Sequence, residues 1–398
     1  MRILLLVDCY LPSPKSSAKL IHDLGVELRN QGHEVIIAAP DDSLAPAQRV
    51  TEENGIRVLR IRTGRIKGAG MVIRAINEAR LSAVMWRQGR GFFRDTPCDL
   101  VVYYSPTIFF GRLVGRLKRL WGCRSYLILR DIFPQWAVDA HVLHRGSLPY
   151  RYFRRKELEQ YEVANVIGVQ SPANLRYFEE QGLADRYRLE VLYHWAPTSH
   201  GALPKTSFRR ELGLDGKIVF FYGGNIGVAQ DMDNVVRLAE RLRDEPDLHF
   251  LILGEGSEVP RLQQLIESKA LTNISIHGPL DQKRYLAALS EFDIGLITLA
   301  RGLKTQNFPG KMLGYMYFAM PILASINPEN DLQQLLEDHG AGLTCINGDD
   351  ERFREYALKL ARDPELRRRI GENGHKLLRT FSSERAATQI LSHAAAAS

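Results

Sequence analysis

Short runs of apolar residues alternate with amphipathic stretches along both halves of the chain. In the first half the runs lie at residues 3–7, 35–38, 57–61, 100–103, 126–129, 166–169 and 191–193. In the second half they lie at residues 218–222, 250–253, 274–276, 294–299, 322–324 and 343–345. Short apolar strands separated by helical patterns are typical of parallel sheets that helices cover on both faces. The pattern therefore predicts an α/β fold.

A break rich in proline, glycine and serine at residues 196–205 separates the two sets of strands. A chain of 398 residues is long enough for two domains, each with its own core. We predict two Rossmann-like domains facing across a cleft, residues 1–198 and 199–381, with a final helix at 382–398 that packs back on the first. Ligands of such sheets bind beyond the carboxyl ends of the strands, so the cleft is the expected active site.

Composition argues against several classes of protein. No apolar run approaches the roughly 18 residues that a membrane-spanning helix needs. The apolar start of the chain is interrupted by Asp8 and lacks a small-residue cleavage site, so we expect a strand there and not a signal peptide. The cysteines lack metal-ligand spacing, and we interpret them as reduced thiols of a cytoplasmic protein.

Positive charge is concentrated in the first half. Residues 1–200 contain 29 lysines and arginines against 20 acidic residues, a balance of +9, whereas residues 201–398 contain 24 against 26, a balance of −2. Within residues 109–121, basic and bulky apolar residues interleave, which suits the anionic inner face of the cytoplasmic membrane. The alternative is a helix whose leucines face the core and whose arginines face water. No nucleic-acid-binding motif is visible, so nucleic acid is not an expected partner.

The segment at residues 305–324 predicts a loop, a tight turn at Phe308, Pro309 and Gly310, and then a helix with Lys311 in its first turn. A cation is unfavourable there, because the N-terminus of a helix already carries partial positive charge. A bound anion would explain the lysine, which makes the segment a candidate phosphate site. The alternative is a surface lysine beside a buried helix.

Glycine-containing turns follow three successive strands of the second half, at residues 223–227, 254–256 and 278. Glycine lets a backbone approach a pyrophosphate closely, so these turns and the lysine loop together predict a nucleotide-diphosphate site. The residues expected to form this nucleotide site are Gly224, Asn225, Gly227, Gln230, Gly254, Glu255, Gly278, Gln306, Asn307, Phe308, Pro309, Gly310 and Lys311.

Asp231 and Asp233 form an Asp-x-Asp pattern that superficially matches a metal site. Their position at a helix start has a plainer explanation, in which Asp231 caps the helix and Asp233 complements its dipole. We therefore predict no catalytic metal.

In the first half, Arg130 and Asp131 follow the strand at residues 126–129. A carboxylate at the carboxyl end of a strand could accept a proton from a sugar hydroxyl. The alternatives for Asp131 are an ion pair with Arg130 or a cap on the following turn.

These motifs resemble those of the retaining GT-B glycosyltransferases of family 4, over nearly the whole chain. Residues 32–35 are similar to that family's first helix and second strand, residues 222–227 to its donor-domain glycine loop, and residues 309–316 with 320–322 to its nucleotide-sugar loop. The combination of residues 131–134, 230–233 and 309–311 is most similar to a bacterial branch. That branch adds deoxy-amino sugars such as N-acetyl-L-fucosamine to lipid-linked O-antigen or capsule precursors.

The resemblance implies transfer, with retention of configuration, from a UDP-sugar to a polyprenyl-diphosphate-linked saccharide, without a cofactor. It implies that Lys311 stabilises the leaving diphosphate, that Asp131 orients the acceptor hydroxyl, and that Ser16, Ser17 and Arg130 lie on the acceptor side. Two other functions stay open, a UDP-sugar 2-epimerase of the same fold and a non-enzymatic sugar-binding protein.

The chain departs from the family pattern at three places. The two glutamates of the sugar and ribose loop are replaced by Gln306 and Gly314. The arginine and lysine clamp after the glycine loop is replaced by residues 228–230, and a double glycine near the first helix by residues 16–17. We therefore expect Lys311 to carry more of the diphosphate charge than its counterpart in the family.

Overall fold

The computed structural model describes residues 1–13, 15–65, 71–105, 107–139, 142–196, 203–303 and 308–394. Two compact units divide the chain. The first unit comprises Met1–Ala196 together with Ser382–Ser398, and the second unit comprises Pro197–Phe381. Each unit is built on one sheet of mostly parallel strands, so the predicted α/β fold with Rossmann-like halves is confirmed.

The strands of the first unit are β1 Arg2–Leu6, β2 Glu34–Asp41, β3 Gln48–Glu53, β4 Ile56–Arg62, β5 Leu100–Ser105, β6 Arg124–Leu129, β7 Val166–Val169 and β8 Leu189–Val191. Their order in the sheet is β3-β4-β2-β1-β5-β6-β7-β8. The helices are α1 Ser16–Asn30, α2 Met71–Asp95, α3 Gly111–Trp121, α4 Gln135–Asp139, α5 Leu148–Glu162 and α6 Pro172–Glu180, with a 3-10 turn at Ala184–Arg186. The central strands are almost completely buried, as their apolar sequences predict.

The edge strand β3 was not predicted from the sequence. It pairs antiparallel with β4, whereas the other strand pairs of this sheet are parallel within the described residues. Its sequence, residues 48–53, is polar because the strand lies at the exposed edge of the sheet and buries little apolar surface. A strand of this kind lacks the apolar run by which the other strands are recognised.

The second unit begins with the short helix α7 Phe208–Glu211. Its strands are β9 Ile218–Asn225, β10 Leu248–Glu255, β11 Ile274–His277, β12 Ile294–Thr298, β13 Ile322–Ile326 and β14 Gly342–Ile346. The helices between and after them are α8 Asp233–Arg241, α9 Val259–Ser268, α10 Gln282–Leu289, α11 Lys311–Tyr317, α12 Asp331–Asp338, α13 Asp350–Arg362 and α14 Pro364–Leu377, with 3-10 turns at Val228–Gln230 and Leu378–Phe381.

The strand order of the second unit is β11-β10-β9-β12-β13-β14, and all its described strand pairs are parallel. The chain winds outward from β9 in one direction and from β12 in the other. The point where the order reverses therefore lies between β9 and β12. In open α/β sheets, ligands bind at such a point, outside the carboxyl ends of the strands.

The last helix, α15 Ser383–Leu391, returns to the first unit. Its residues Ala386, Ala387 and Ile390 are buried in the core that α1 and the central strands form. At its end His393 lies 2.7 Å from a carboxylate oxygen of Glu190. No helix in the described ranges has both the length and the apolar character that crossing a lipid bilayer requires.

Two adjacent strands of the second unit approach each other closely at their carboxyl ends. Gly224 of β9 pairs in register with Gly254 of β10. A Cβ atom added at Gly254 would lie 1.9 Å from the carbonyl oxygen of Gly224. The segments that follow these two strands are equally close, since a Cβ at Gly256 would lie 2.0 Å from the carbonyl oxygen of Ile226. Only glycine fits at these contacts, because the obstructing atoms belong to the backbone.

We expect Gly254→Ala to lower the free energy of unfolding of the second unit by at least the roughly 1–3 kcal/mol that overpacking costs, because a strand backbone would have to move. The measurement is urea unfolding of the full chain. Gly278→Ala is the matched control, since a Cβ there has no atom within 4 Å. Equal unfolding midpoints for the two variants would contradict the close contact.

Candidate functional site

The loop after β9 and the helix α11 converge at the switch point of the second unit. Lys311 is the first residue of α11, as predicted. Its ammonium nitrogen lies 3.2 Å from the centre of the Tyr222 ring, near the end of β9. The same nitrogen would be 3.7 Å from a Cβ atom at Gly224, whose φ of 129° lies in the region that favours glycine. The structure therefore brings Lys311 and the glycine loop together.

The charge of Lys311 is not neutralised inside the described part of the second unit. No carboxylate among the described residues forms an ion pair with it, although the side chain is partly buried. Burial lowers the pKa of Lys311 well below the usual lysine value. A desolvated ammonium without a carboxylate is the environment that an anionic ligand would complement.

Tyr315 fixes the helix that carries Lys311. It lies one helical turn after the lysine and is fully buried. Its hydroxyl oxygen is 3.3 Å from the carbonyl oxygen of Phe221 in β9 and 3.2 Å from that of Leu296 in β12. The backbone N–H of Gly223 lies 3.4 Å from the same hydroxyl. Because Tyr315 bridges both strands of the switch point, α11 has a defined position relative to the glycine loop.

The side chain of Gln230 holds the glycine segment at residues 223–227 by hydrogen bonds. Its side-chain oxygen accepts a hydrogen bond of 2.8 Å from the side-chain amide of Asn225 and one of 3.1 Å from the backbone N–H of Gly227. Asn225 and Gln230 thus contact each other and Gly227, as a folded loop. Asn225, Gly227 and Gln230 are therefore close together, while their contact with a nucleotide sugar stays a prediction.

The expected cap of α8 by Asp231 is wrong. The residue before α8 is Met232, and no side chain caps the helix. Asp231 has a φ of 43°, and its carboxylate accepts a hydrogen bond of 2.8 Å from the side chain of Asn347. This carboxylate satisfies the buried Asn347 amide at the end of β14 instead of the helix terminus. Asp233 does lie in the first turn of α8, where Arg261 binds its two oxygens at 2.8 and 3.1 Å.

Each carboxylate of the Asp-x-Asp pattern thus has a different partner in the protein. Among the residues that the structure describes, no group of three or more histidine, cysteine, aspartate or glutamate side chains is arranged to hold a metal ion. Metal-independent activity stays a prediction.

The other predicted donor residues lie around this site as follows. Glu255 ends β10 with an exposed side chain, and Gly278 directly follows β11, next to β10 in the sheet. Phe308 is buried, with its ring centre 6.3 Å from that of Phe381. Pro309 and Gly310 lead into α11. Two further predicted residues, Gln306 and Asn307, lie outside the described residues.

In the first unit, Asp131 follows β6 with an exposed side chain. Partial desolvation by the surrounding protein raises the pKa of Asp131; Arg130 opposes this rise, and Asp8 adds to it. Arg130 and Asp131 do not form an ion pair. The guanidinium of Arg130 instead donates to the carbonyl oxygens of Leu192 at 2.8 Å and Tyr193 at 3.2 Å. The expected alternative of an Arg130–Asp131 pair is thus absent from the described contacts.

Arg130 itself is buried, with 6% of its surface exposed. Besides its two carbonyl partners, the guanidinium lies 4.9 Å from the centre of the Trp195 ring. These contacts tie the end of β6 to the segment that leaves the sheet after β8. A role of Arg130 at the acceptor stays a prediction.

The two serines expected on the acceptor side begin α1. The hydroxyl of Ser17 is 3.3 Å from the sulfur of Cys9. The backbone of Ser16 is helical, and its side chain is not described.

The basic helix of the first unit is α3. Its residues Leu113, Val114 and Leu117 are buried, so they face the core, which was the alternative to membrane contact. Arg112 pairs with Glu159 at 3.3 Å, and the guanidinium of Arg116 lies 5.7 Å from the centre of the Trp86 ring. The apolar face of α3 is therefore not available to lipid.

Two family models together match most of the chain. The model "Glycosyl transferase 4-like domain" matches residues 17–195. The model "Glycosyl transferases group 1" matches residues 204–377. These two segments fall within the first and second units, respectively.

The chain is also similar to two bacterial proteins. It is 25% identical over 244 residues to the probable glycosyltransferase WbjE of Pseudomonas aeruginosa, an alignment that covers 58% of this chain and 58% of the relative. It is 32% identical over 261 residues to the putative colanic acid biosynthesis glycosyl transferase WcaI of Escherichia coli strain K12, covering 62% of each protein. The alignments thus span about three fifths of the relatives' length.

Solved structures share the fold of nearly the entire chain. The sucrose-phosphate synthase of Thermosynechococcus elongatus matches with a TM-score of 0.72 at 15% identity, over 98% of both chains. Anabaena HepE in complex with UDP-glucose matches with a TM-score of 0.68 at 14% identity, also over 98% of both chains. The two family models and this shared two-domain fold identify the chain as a member of the GT-B glycosyltransferases.

Proposed function

We propose that the protein transfers a sugar from a UDP-sugar to a lipid-linked saccharide. The observation that carries this proposal is the Lys311 ammonium beside Gly224, partly buried and without a carboxylate partner among the described residues. A nucleoside diphosphate would supply the missing negative charge. The family and the UDP-glucose bound to the structural neighbour HepE support a UDP-linked donor.

The expected chemistry follows from the residues at this site. Transfer needs the departing diphosphate to be stabilised, which Lys311 and backbone N–H groups of the glycine segment at residues 223–227 would do. The diphosphate itself would help to deprotonate the acceptor, as the resemblance to retaining enzymes implies. Because the carboxylates of Asp231 and Asp233 already have protein partners, we expect turnover to need no divalent metal.

Asp131 is the proposed contact for the acceptor hydroxyl. Desolvation raises the pKa of this carboxylate, which makes it a better proton acceptor than an ordinary aspartate. Its side chain is exposed and has no hydrogen bond to the described protein. A hydroxyl group of a saccharide would donate a hydrogen bond to this carboxylate.

The identity of the sugar and acceptor is a finer proposal. The combined motifs resemble the branch that transfers N-acetyl-L-fucosamine, and the similar proteins WcaI and WbjE are described as bacterial glycosyltransferases. We propose a deoxy-amino sugar and a polyprenyl-diphosphate-linked precursor of O-antigen or capsule. A thermal-shift screen of UDP-, GDP- and dTDP-sugars would identify the donor, since a ligand of the folded state raises its melting temperature.

A membrane-facing surface on the first unit would bring the protein to such an acceptor. Apolar side chains are exposed around α4 and α5, with Trp136 at 44%, Val142 at 73% and Leu148 at 79%. A chain of ring contacts links Trp136 to Phe133 at 5.7 Å and Phe133 to Phe153 at 5.0 Å. Aromatic and aliphatic side chains of this kind insert at the membrane interface.

Basic residues line a groove on the same unit. This groove of about 660 Å³ lies between α3 and α5, and its charged lining consists of Arg112, Arg116 and Arg119 together with Glu159 and Glu162. Such arginines attract anionic lipid, each contributing about 1 kcal/mol near the surface. We therefore propose that α4, α5 and the arginines of α3 contact the inner face of the cytoplasmic membrane.

Lys311→Ala should weaken UDP binding by roughly 1.5–3 kcal/mol, the range for a hydrogen bond to a charged group, or about 10- to 150-fold in Kd. The measurement is isothermal titration calorimetry with UDP. Lys283→Ala is the matched control, because Lys283 also lies in the first turn of a helix of the second unit but is exposed. Unchanged UDP affinity in a folded Lys311→Ala protein would overturn the proposed donor site.

The same titration should depend on pH. An anion favours the charged form of Lys311, whose pKa is lowered in the ligand-free protein. Affinity should therefore be complete below that lowered pKa and fall as the pH rises through it, measured from about pH 7 upward, where UDP is fully ionised. Lys311→Arg keeps its charge over this range, so its profile should be flat. A flat profile for the wild type would contradict the assignment.

Asp131→Asn should reduce turnover by about 10²–10⁴-fold, the contribution of a positioned proton acceptor, while UDP affinity stays within twofold. Turnover is measured as UDP release in the presence of a lipid-linked saccharide acceptor. Asp185→Asn is the control, because Asp185 is also exposed but precedes its strand, β8. It therefore lies at the amino ends of the parallel strands, whereas Asp131 lies at their carboxyl ends. Activity of Asp131→Asn within about threefold of wild type would reduce this residue to a structural role.

Binding to vesicles of anionic phospholipid should exceed binding to neutral vesicles, and should weaken with salt because screening shortens the electrostatic range. Co-sedimentation should fall when Arg112, Arg116 and Arg119 become glutamate, and when Trp136 and Leu148 become serine. The controls are Arg362, Arg368 and Arg369 changed to glutamate on the second unit, and Val50→Ser on the edge strand β3. Equal binding of wild type to both vesicle types at low salt would refute the electrostatic part of the proposal.

A further inference from the structure

Tyr222 connects the cation and the glycine loop of the second unit. It is fully buried near the end of β9. One face of its ring lies 3.2 Å from the ammonium nitrogen of Lys311, measured to the ring centre. Its hydroxyl donates a hydrogen bond of 2.6 Å to the carbonyl oxygen of Asn225, the last residue of β9 and part of the glycine segment at residues 223–227. The same side chain therefore contacts both components of the proposed diphosphate site.

An aromatic ring holds a cation without neutralising it. The attraction between an ammonium and the face of a ring is electrostatic, and it strengthens when the pair is shielded from water. A carboxylate in the same place would compete with a phosphate group for the lysine. On the side of Gly224 there is no side chain to cover the ammonium, and this glycine is exposed. The ring thus holds the cation on one side, and the exposed Gly224 lies on another.

We propose that Tyr222 is a positioning residue for an anionic diphosphate, its ring holding the Lys311 ammonium and its hydroxyl holding the glycine loop at Asn225. This inference rests on the proposed donor site and adds to it the residue that arranges the two binding groups before the ligand arrives. Removing the ring would leave a long, flexible lysine side chain that must be ordered on binding. Such ordering lowers affinity, because it has an entropic cost.

The two functions of Tyr222 can be separated by substitution. Tyr222→Phe keeps the ring and removes the hydroxyl, whereas Tyr222→Leu removes both. Phe220→Leu is the matched control, because Phe220 is a fully buried aromatic residue two positions earlier on β9, on the same face of the strand, and stacks on Phe250. Any general weakening of β9 affects both leucine variants.

The first measurement does not need a ligand. With lysine labelled at its ε carbon, the ε protons of Lys311 should show an upfield ring-current shift in wild type and in Tyr222→Phe. The signal is assigned by its disappearance in Lys311→Ala, and the shift should be lost in Tyr222→Leu but kept in Phe220→Leu. An unshifted Lys311 signal in the wild type would overturn the inference.

The second measurement is UDP affinity by calorimetry. Tyr222→Leu should raise Kd by about 3- to 30-fold, which corresponds to the usual range of cation–π energies. Tyr222→Phe should keep most of the affinity, and Tyr222→Leu should have no further effect once Lys311 is alanine. Equal affinity of Tyr222→Leu and wild type, with Lys311→Ala weakened, would refute the role of Tyr222 and leave the donor site intact. Absence of nucleotide binding by the wild type would refute the donor site. The ring-current shift would still show whether the Tyr222 ring contacts the Lys311 ammonium.

Discussion

The central physical feature of the second unit is a positive charge that is partly removed from water without a carboxylate partner among the described residues. Desolvating an ion costs several kcal/mol, and a shielded cation–π contact returns only about 2 kcal/mol. An anionic ligand would offset the remainder. The arrangement of Lys311 over Tyr222, beside the exposed backbone of Gly224, is stable on its own but is completed by an anion. This imbalance is what distinguishes the site from the rest of the sheet edge.

Buried charges in the first unit are satisfied differently. Arg130 donates to two carbonyl oxygens and lies on the ring of Trp195. Glu157 is completely buried, but Tyr161 donates to it at 2.8 Å and the guanidinium of Arg154 forms an ion pair with it. Both groups obtain their partners from the protein itself, so their contacts have a structural explanation. Within the part of the chain that the structure describes, Lys311 obtains a neutral ring and no carboxylate, which is why its contacts point to a ligand.

Much of the architecture could be predicted from the sequence, because the buried strands of both units are short apolar runs. Every strand expected in the second half is present, and the three glycine turns lie at the carboxyl edge of that sheet. The prediction failed where a residue is recruited by a distant partner. The sequence around Asp231 favours a helix cap, but Asn347, more than a hundred positions later, binds its carboxylate. The edge strand β3 was missed for a related reason, since it is defined by pairing with β4 and not by apolar residues.

The role inferred for Tyr222 could not be predicted from local sequence. Residues 218–222 form a continuous apolar run, in which Tyr222 looks like an ordinary core residue, and its burial agrees with that interpretation. Its ring meets Lys311 only because β9 and β12 are neighbours in the sheet, and because Tyr315 fixes α11 against both strands. The close contact of Gly224 with Gly254 then sets the direction in which the loop leaves β9. The candidate donor site is therefore a property of strand order, since the residues that arrange it come from segments that only the parallel sheet brings together.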